Sequence, residues 1–472
     1  MKTNTYKSIG IYYILNFLRA NKQYIKGKCL VFLDAKNLIP FVKKIINTRD
    51  VTVIFFPDDK DELKQMEQIR RIKNNSYETV IAINTLNRFG DYESFLQENL
   101  RILKGSGTHL STVSSFALPR KDFGVWGFTE ASMRYIFEPY KLDDNLFIQG
   151  YGNVLAGRYL IGDEDSNTLS KHQLDHYDPY FPLIIGTRLK KVSGKNYYKK
   201  RVAEKGLAAF NRETAIHKIL YSTLNKATTN LLLQNLNVVI RNQEPLLMIL
   251  RRMRAVVTRL IKNRDAYLNS GELEPISKKY GFDRGKPIDR HFIESFLNDN
   301  RDCIKGRCLE IVDNTYTRKF GGDRTTTSDA LDIFPTRNAN IHGDLRNLTQ
   351  VQDSVYDCII VTQTFNVIDD YNAAIKECLR ILKSGGTLLA TVPTLSPCWN
   401  LKINLWRYSK ETALHVFSQY FGLKNTSVKS YGNKNAVKGF WVGLSTEDLK
   451  TFDLTENDKD FPLTIGIRAI KK

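Results

Sequence analysis

Four carboxylates in residues 273–472 lie at or near the ends of short apolar runs that have the length of β-strands. Glu310 and Asp313 stand at the end of the first run, Asp329 belongs to the second, and Asp344 follows the third. A parallel sheet binds ligands outside the carboxyl ends of its strands, where a carboxylate can accept hydrogen bonds from hydroxyl and amino groups. The spacing predicts a ligand-binding site, with solvated loop carboxylates as the alternative.

The elements that must position these side chains alternate between apolar runs and amphipathic stretches. This pattern predicts an α/β fold with a mostly parallel sheet covered by helices. Residues 371–382 have helical spacing, and the glycines of the following segment, 383–386, are expected to end that helix with a left-handed cap. The strands predicted in this half are 308–312, 325–331, 339–343, 358–362, 387–392, 426–431 and 461–469.

The sequence also matches itself at an offset of 279 residues, which rises to 280 towards the end of each copy. Residues 27–30 match 306–309, and residues 101–104 match 380–383. A chain of 472 residues exceeds what one hydrophobic core usually supports, so two domains are expected. The predicted boundaries are a first domain in residues 1–193, a helical linker in 194–272 and a second domain in 273–472.

The helix end Arg-Ile-Leu-Lys-x-Gly-Gly-Thr at 380–387, followed by the strand Leu-Leu-Ala-Thr-Val-Pro at 388–393, is similar to the late core of class I S-adenosylmethionine-dependent methyltransferases. Further segments resemble a branch of this family associated with bacterial surface polysaccharide biosynthesis, at 281–290, 309–311, 316–317, 343–345, 362–364 and 406–408. The resemblance implies two tandem Rossmann-like domains joined by a basic helical segment. It also implies S-adenosyl-L-methionine as cofactor and a sugar or polysaccharide intermediate as acceptor.

Cofactor-binding positions follow from this resemblance. It places Glu310, Val312 and Asp313 near the methionine part of the cofactor and assigns the ribose to Asp329. Asp344 and Leu345 would frame the adenine, while Gln363 and Thr364 would line the site.

The loop after the first strand departs from the family pattern. Related domains keep a glycine where this chain has Val312, because a tight turn there needs a positive φ and a close approach of the backbone to the ligand. Asn314 can adopt left-handed geometry and Gly321-Gly322 lies nearby, so cofactor binding remains compatible with the sequence.

Catalytic positions are expected near the end of the fourth strand of the second copy. Methyl transfer to oxygen is an in-line displacement that needs a base when the acceptor is a poorly acidic hydroxyl. The family often has His where this chain has Asn366, so Asp369 or Asp370 is the candidate base, with capping of the next helix as the alternative. Arg407 is the other candidate catalytic residue.

Two histidines have structural interpretations. His342 is expected to point into the sheet, and His415 to lie on a helix face.

The first copy retains the apolar pattern but only part of the polar set. Val31 stands for Glu310, Leu33 for Val312, Gln65 for Asp344 and Gly127 for Arg407, whereas Asp34 and Asp50 keep their carboxylates. We expect residues 1–193 to form a non-catalytic companion domain. The run at 51–56 is more strand-like than its counterpart, which suggests that the second strand ends later than Asp329.

Residues 192–265 contain fifteen Lys or Arg and four Asp or Glu, so a large part of the net charge of +20 is local. Apolar residues recur there at helical spacing from 246 to 260. Three interpretations remain open for the basic segment 194–265. They are a helical hairpin that packs the two domains together, a peripheral contact with an anionic membrane, and nucleic-acid binding, which lacks any accompanying motif.

The composition, with 42% apolar and 25% charged residues, is typical of a globular protein. The six cysteines form no CxxC pair, which favours buried thiols over disulfides or zinc and predicts no metal site. The basic, apolar start of the chain is interpreted as a domain helix because it has a counterpart in the second copy. The expected location is cytoplasmic, with a peripheral position at the inner membrane face as a variant.

Two functions therefore remain after the sequence analysis. The first is methyl transfer to a small-molecule or glycan acceptor by the second copy. The alternative is a catalytically inactive pseudo-methyltransferase that acts as a binding or scaffold module.

Overall fold

A computed structural model of the full chain describes residues 9–46, 48–56, 62–118, 125–142, 144–162, 164, 168–192, 253, 255–259, 262–334, 336, 338–399 and 403–472. Most of the basic segment 194–265 lies outside the described residues, so the interpretations of that segment stay predictions.

The helices of the first half cover both faces of a sheet, and those of the second half repeat the arrangement. Their bounds are α1 Ile9–Ala20, α2 Ile39–Ile45, α3 Glu62–Arg70, α4 Tyr92–Ile102, α5 Glu130–Phe137, α6 Val154–Gly162, α7 Lys171–Asp175, α8 Arg264–Leu268, α9 Ile288–Asp299, α10 Tyr371–Ile381, α11 Lys410–Phe421, α12 Lys434–Val442 and α13 Thr451–Thr455.

The strands of the first half are β1 Cys29–Leu33, β2 Val51–Phe55, β3 Tyr77–Ile83, β4 Leu103–Ser114, β5 Trp126–Phe128, β6 Leu146–Tyr151 and β7 Ile184–Lys190. Those of the second half are β8 Gly306–Ile311, β9 Thr325–Asp332, β10 Ile341–His342, β11 Tyr356–Thr362, β12 Leu382–Pro393, β13 Trp406–Tyr408, β14 Thr426–Tyr431 and β15 Thr464–Ile470.

The two large sheets have corresponding strand orders. The first runs β2-β1-β3-β4-β7-β6 and the second runs β10-β9-β8-β11-β12-β15-β14. In each sheet the neighbouring strands are parallel up to β4 or β12, and the last two strands are antiparallel. The predicted α/β class, with mostly parallel Rossmann-like sheets, is confirmed.

Local signals are repeated between the halves. Asp91 caps α4 by accepting from the Ser94 amide at 3.0 Å, and Asp370 caps α10 by accepting from the Ala373 amide at 2.9 Å. Backbone torsions with positive φ also recur at equivalent positions, in the pairs Gly27/Gly306, Asn75/Ser354, Asn84/Gln363, Ser106/Gly385 and Gly152/Gly432. Equivalent segments therefore fold alike even where their side chains differ.

The glycines at 385 and 386 have a different role from the one predicted. Helix α10 ends at Ile381, and residues 382–386 already belong to β12. The register with β11 shifts between Tyr356 and Cys358, and Gly385 has φ +76° beside this irregularity. The glycine thus permits a bulge at the start of the strand rather than a helix cap.

The halves share their hydrophobic core. The two clusters of buried apolar residues each contain side chains from both halves. Strand β5 pairs antiparallel with β13, and the Trp441 indole of α12 donates a hydrogen bond to the Val154 carbonyl of α6 at 3.0 Å. The two halves therefore pack against each other through a common apolar core.

All six cysteines are free thiols, and five of them are buried, as predicted. Within the described ranges, no helix is long and apolar enough to cross a membrane. The same ranges contain no group of three or more His, Cys, Asp or Glu residues that could hold a metal ion.

Candidate functional site

A cavity of about 1260 Å³, here called the main cavity, opens at the carboxyl ends of β8, β9 and β11. Its wall includes the last residues of these strands and the loops after them and after β10, at 310–313, 331–334, 343–346 and 362–364. The opposite wall comes from 282–290 and the start of α9. Glu294 of α9 is held there by ion pairs with Lys286 at 2.5 Å and with Lys319 at 2.8 Å. Parallel strands thus bring together side chains that are far apart in sequence.

Val312 forms the tight turn after β8 without being a glycine. Its φ is +79°, its side chain is 53% exposed, and its amide donates to the Leu331 carbonyl at 2.7 Å. A positive φ is a genuine outlier for a β-branched residue, and such strain costs about 1–3 kcal/mol. Val312 adopts this backbone without being a glycine, and it lines the main cavity.

Glu310 and Asp313 shape the loop that follows this turn. The Glu310 carboxylate is 3% exposed and accepts from the Tyr316 amide at 3.1 Å and from the Thr317 amide at 2.7 Å. Burial raises the pKa of Glu310 to about 7, although these two amide bonds oppose the shift. Asp313 accepts from the Thr315 amide at 2.9 Å. Both residues line the main cavity, and their roles in binding stay predictions.

Asp329 does not lie where it was expected. Strand β9 continues to Asp332, so Asp329 lies within the strand rather than at its end. The Asp329 residue is 4% exposed. It accepts from Arg307 Nε at 2.9 Å and Asn340 Nδ2 at 2.7 Å, so its hydrogen bonds are structural. Asp332, three residues later, ends the strand and lines the main cavity. Of the two carboxylates, Asp332 is therefore the one that faces the main cavity.

Arg346 joins two of the predicted site carboxylates. Its Nε donates to both oxygens of Asp344 at 3.0 Å, and its Nη1 bonds Asp369. All three residues line the main cavity, together with the buried Leu345. Because Asp369 is paired with a cation, the structure argues against its role as a general base. Arg346 was not predicted as a site residue, because no local sequence pattern indicates which carboxylates a loop arginine will contact.

Asp370 and Arg407 lie outside the main cavity. Asp370 caps α10, which was the alternative to its catalytic role. Arg407 is 1% exposed on β13, where it donates to the Asn404 side chain at 2.7 Å and to the Ser396 carbonyl at 2.9 Å. The expected catalytic position of Arg407 is wrong, because β13 is buried against β5 of the first half.

Gln363 and Thr364 line the main cavity as expected. Gln363 has φ +47° and donates its amide to the Thr391 carbonyl at 2.9 Å. His415 lies on the exposed face of α11, beside Gln419. His342, expected to point into the sheet, is instead exposed, because β10 is the edge strand.

The equivalent positions in the first half have changed in structure as well as in type. Val31 and Leu33 are fully buried, and Leu33 lacks the positive φ of Val312. Gln65 lies within helix α3, whereas its counterpart Asp344 follows strand β10. At these described positions the first half therefore differs from the loops that form the main cavity.

The second half forms a Rossmann-like sheet, with parallel strands in the order β10-β9-β8-β11-β12, completed by the antiparallel β15 and β14. Residues 303–390 match the family model described as a methyltransferase domain. This segment contains the loops that form most of the main cavity, so the matched residues include the wall of that cavity.

Comparisons with solved structures give weak likenesses. Phosphoethanolamine N-methyltransferase 2 of Haemonchus contortus, in complex with S-adenosyl-L-methionine, is 12% identical over 98% of this chain and 99% of that chain, with a TM-score of 0.27. A SAM-dependent methyltransferase from Archaeoglobus fulgidus is 14% identical over 39% of this chain and 94% of that chain, with a TM-score of 0.28. No curated protein matches the chain. Scores this low carry no argument about function.

Proposed function

We propose that the second half, residues 273–472, is an S-adenosyl-L-methionine-dependent methyltransferase domain and that residues 1–193 are its non-catalytic companion. The observation that carries the proposal is the main cavity itself. This cavity lies outside the carboxyl ends of parallel strands, where such sheets bind ligands. The strained turn at Val312 lines the cavity. Val312 also lies within the segment that matches a methyltransferase domain.

The residues present fit this cofactor in size and in chemistry. A cavity of about 1260 Å³ is ample for an adenosyl group with its amino acid. The positive φ of Val312 forms the tight turn after β8, while Glu310 holds the following loop. In the proposal, Asp332 accepts hydrogen bonds from the ribose hydroxyls, and Leu345 with Ile333 provides an apolar surface for the adenine. When bound, the cofactor supplies an electrophilic methyl group on a sulfonium.

The finer assignments rest on the sequence. We propose a sugar or polysaccharide intermediate as acceptor, and an origin of the two halves in tandem duplication. The corresponding strand orders and the recurrent positive-φ residues support the second point. The cytoplasmic location and a peripheral membrane contact through 194–265 likewise stay proposals.

The proposal is tested by calorimetric titration of the full chain with S-adenosyl-L-methionine. We expect saturable binding, weakened about tenfold by Asp332→Ala, because a hydrogen bond to a charged group contributes roughly 1.5–3 kcal/mol. Asp302→Ala is the matched control, since Asp302 is exposed before β8, at the opposite end of that strand from the cavity. Its affinity should equal that of the wild type.

Absence of binding heat, confirmed by an unchanged melting temperature with the cofactor present, would reject the enzymatic proposal. A scaffold role for the second half would then be the remaining interpretation.

A further inference from the structure

A second cavity of about 280 Å³, here called the side pocket, adjoins the main cavity. Five residues line both cavities, so the two spaces share a border: Phe282, Arg290, Gln363, Val367 and Ile403. The side pocket extends from this border towards β12, α12 and β15, away from the positions predicted for the cofactor. A second molecule bound there would face whatever occupies the main cavity.

Two buried polar atoms in the wall of the side pocket lack a partner among the described residues. They are Oδ1 of Asn366, a residue that is 7% exposed, and Oγ1 of Thr464, which is fully buried. A buried polar atom without a partner costs roughly 1–3 kcal/mol. A bound molecule with hydroxyl groups would supply these missing hydrogen bonds.

The side pocket also offers apolar ring surfaces. Tyr280 and Phe440 stack with centroids 6.0 Å apart and an interplanar angle of 22°. The Tyr280 hydroxyl is already used, because it donates to the Pro397 carbonyl at 3.3 Å. Aromatic faces beside scattered polar groups suit a small neutral ring that carries hydroxyls, and the volume limits the occupant to about one such ring.

Asp289 is the carboxylate of the side pocket. It lies in the first turn of α9 and accepts the Arg290 amide at 2.8 Å. Burial raises the pKa of Asp289, and the Arg290 guanidinium opposes the shift. The phenols of Tyr280 and Tyr316 are the other titratable groups that interact with it. Asp369 is paired with Arg346, and Asp370 caps α10. Asp289 takes part in neither of these two interactions.

We propose that the side pocket binds a small neutral acceptor with hydroxyl groups and that Asp289 is the general base of the transfer. The inference rests on the proposed function and assigns its acceptor site. The acceptor oxygen forms a bond to the methyl carbon as the carbon–sulfur bond breaks. The hydroxyl proton passes to the Asp289 carboxylate, and the sulfur leaves with its electron pair as S-adenosylhomocysteine.

The acceptor site is tested in the full chain with methyl α-glucoside, methyl α-galactoside, methyl α-mannoside and glucosamine as probes. Saturation-transfer NMR in the presence of S-adenosylhomocysteine should detect the neutral glycosides. Thr464→Val should weaken their binding about fivefold, the loss of roughly 1 kcal/mol of hydrogen bonding, without lowering the melting temperature. Thr187→Val is the matched control, because its buried hydroxyl also lacks a partner among the described residues but lies on β7 of the first half.

The base is tested with Asp289→Asn, which keeps the shape and removes the basicity. Methyl transfer to the glycosides, followed by mass spectrometry, should fall about a hundredfold or more, since a general base contributes 10²–10⁴. The affinity for S-adenosyl-L-methionine should stay within twofold of the wild type.

Several outcomes would overturn the inference while leaving the proposed function intact. They are cofactor binding without any binding of the neutral glycosides, preferential binding of glucosamine, or undiminished transfer in Asp289→Asn. A wild type that binds the glycosides but methylates none of them would overturn it too. A chain that binds no cofactor would reject the proposed function itself.

Discussion

Among single residues, Val312 shows that a residue other than glycine can adopt the positive φ of a tight turn. The positive φ persists because neighbouring structure fixes it. The Val312 amide is bonded to Leu331 of the adjacent strand, and Glu310 holds the amides that follow the turn. Strain of this kind persists where the surroundings over-determine a conformation, and it clusters at ligand sites. The valine at this position is therefore compatible with the tight turn after β8.

Val312→Gly should stabilise the protein. The substitution relieves about 1–3 kcal/mol of strain and costs up to about 1 kcal/mol in chain entropy, so the free energy of unfolding should rise by up to about 2 kcal/mol. Urea denaturation measures the change. Ile333→Gly is the control, because Ile333 is 48% exposed in the same cavity wall without a positive φ, and it should lose stability. Equal losses in both variants would contradict the strain at Val312.

At the scale of the element, strands β5 and β13 pair symmetrically. Trp406 lies opposite Phe128 and Tyr408 opposite Trp126, so Gly127 and Arg407, which are equivalent in the repeat, face each other. Equivalent segments of the two halves therefore pair with each other, as they do in the symmetric interface of a homodimer, but within one chain. Gly127 is required here because a Cβ would lie 2.7 Å from the Arg407 Cβ and 2.8 Å from the Ser115 carbonyl oxygen.

Gly127→Ala should destabilise the protein by about 1–3 kcal/mol, because the Arg407 Cβ and the backbone of Ser115 and Phe116 leave the new methyl group no room. Thermal unfolding monitored by circular dichroism gives the comparison. Gly90→Ala is the matched control, since the nearest atoms to its Cβ are at 3.5 Å, an ordinary contact. A melting temperature of Gly127→Ala equal to that of Gly90→Ala would show that β5 and β13 can separate without cost.

At the scale of the whole molecule, the first half serves as a partner for the second. Trp441 of the second half is 1% exposed, against Phe116 and Phe181 of the first at ring distances of 4.9 Å each. Backbone hydrogen bonds also cross the interface, from the Ala117 amide to Thr394 at 2.9 Å and from the Cys398 amide to Tyr180 at 2.7 Å. The first half can therefore lack polar residues of the predicted site and still keep the apolar residues that pack against the second half.

A fragment of residues 273–472 should not fold as a stable monomer. Removal of the first half exposes Trp406, Tyr408 and Trp441, a large apolar surface that favours association. Light scattering should find aggregates or oligomers, and co-expression with residues 1–192 should restore a monodisperse complex. A monomeric fragment with the melting temperature of the full chain would contradict the shared core.

The α/β class, the repeat and most element positions could be predicted from the amino-acid sequence, because apolar periodicity and caps such as Asp370 are local signals. It also placed Glu310, Asp344, Gln363 and Thr364 in the loops that line the cavity, since side chains that follow parallel strands converge at one edge.

The sequence could not show which polar residues are free to contact a ligand, because that depends on the folded chain. Asp329 is bound by Arg307 and Asn340, Arg407 is covered by β5, and Asp289 joins a pocket with Thr464, which is far away in sequence. Hydrogen-bond partners and burial depend on contacts between distant segments, which no local spacing encodes. For this reason the loops could be located from the sequence, but the roles of the residues within them could not.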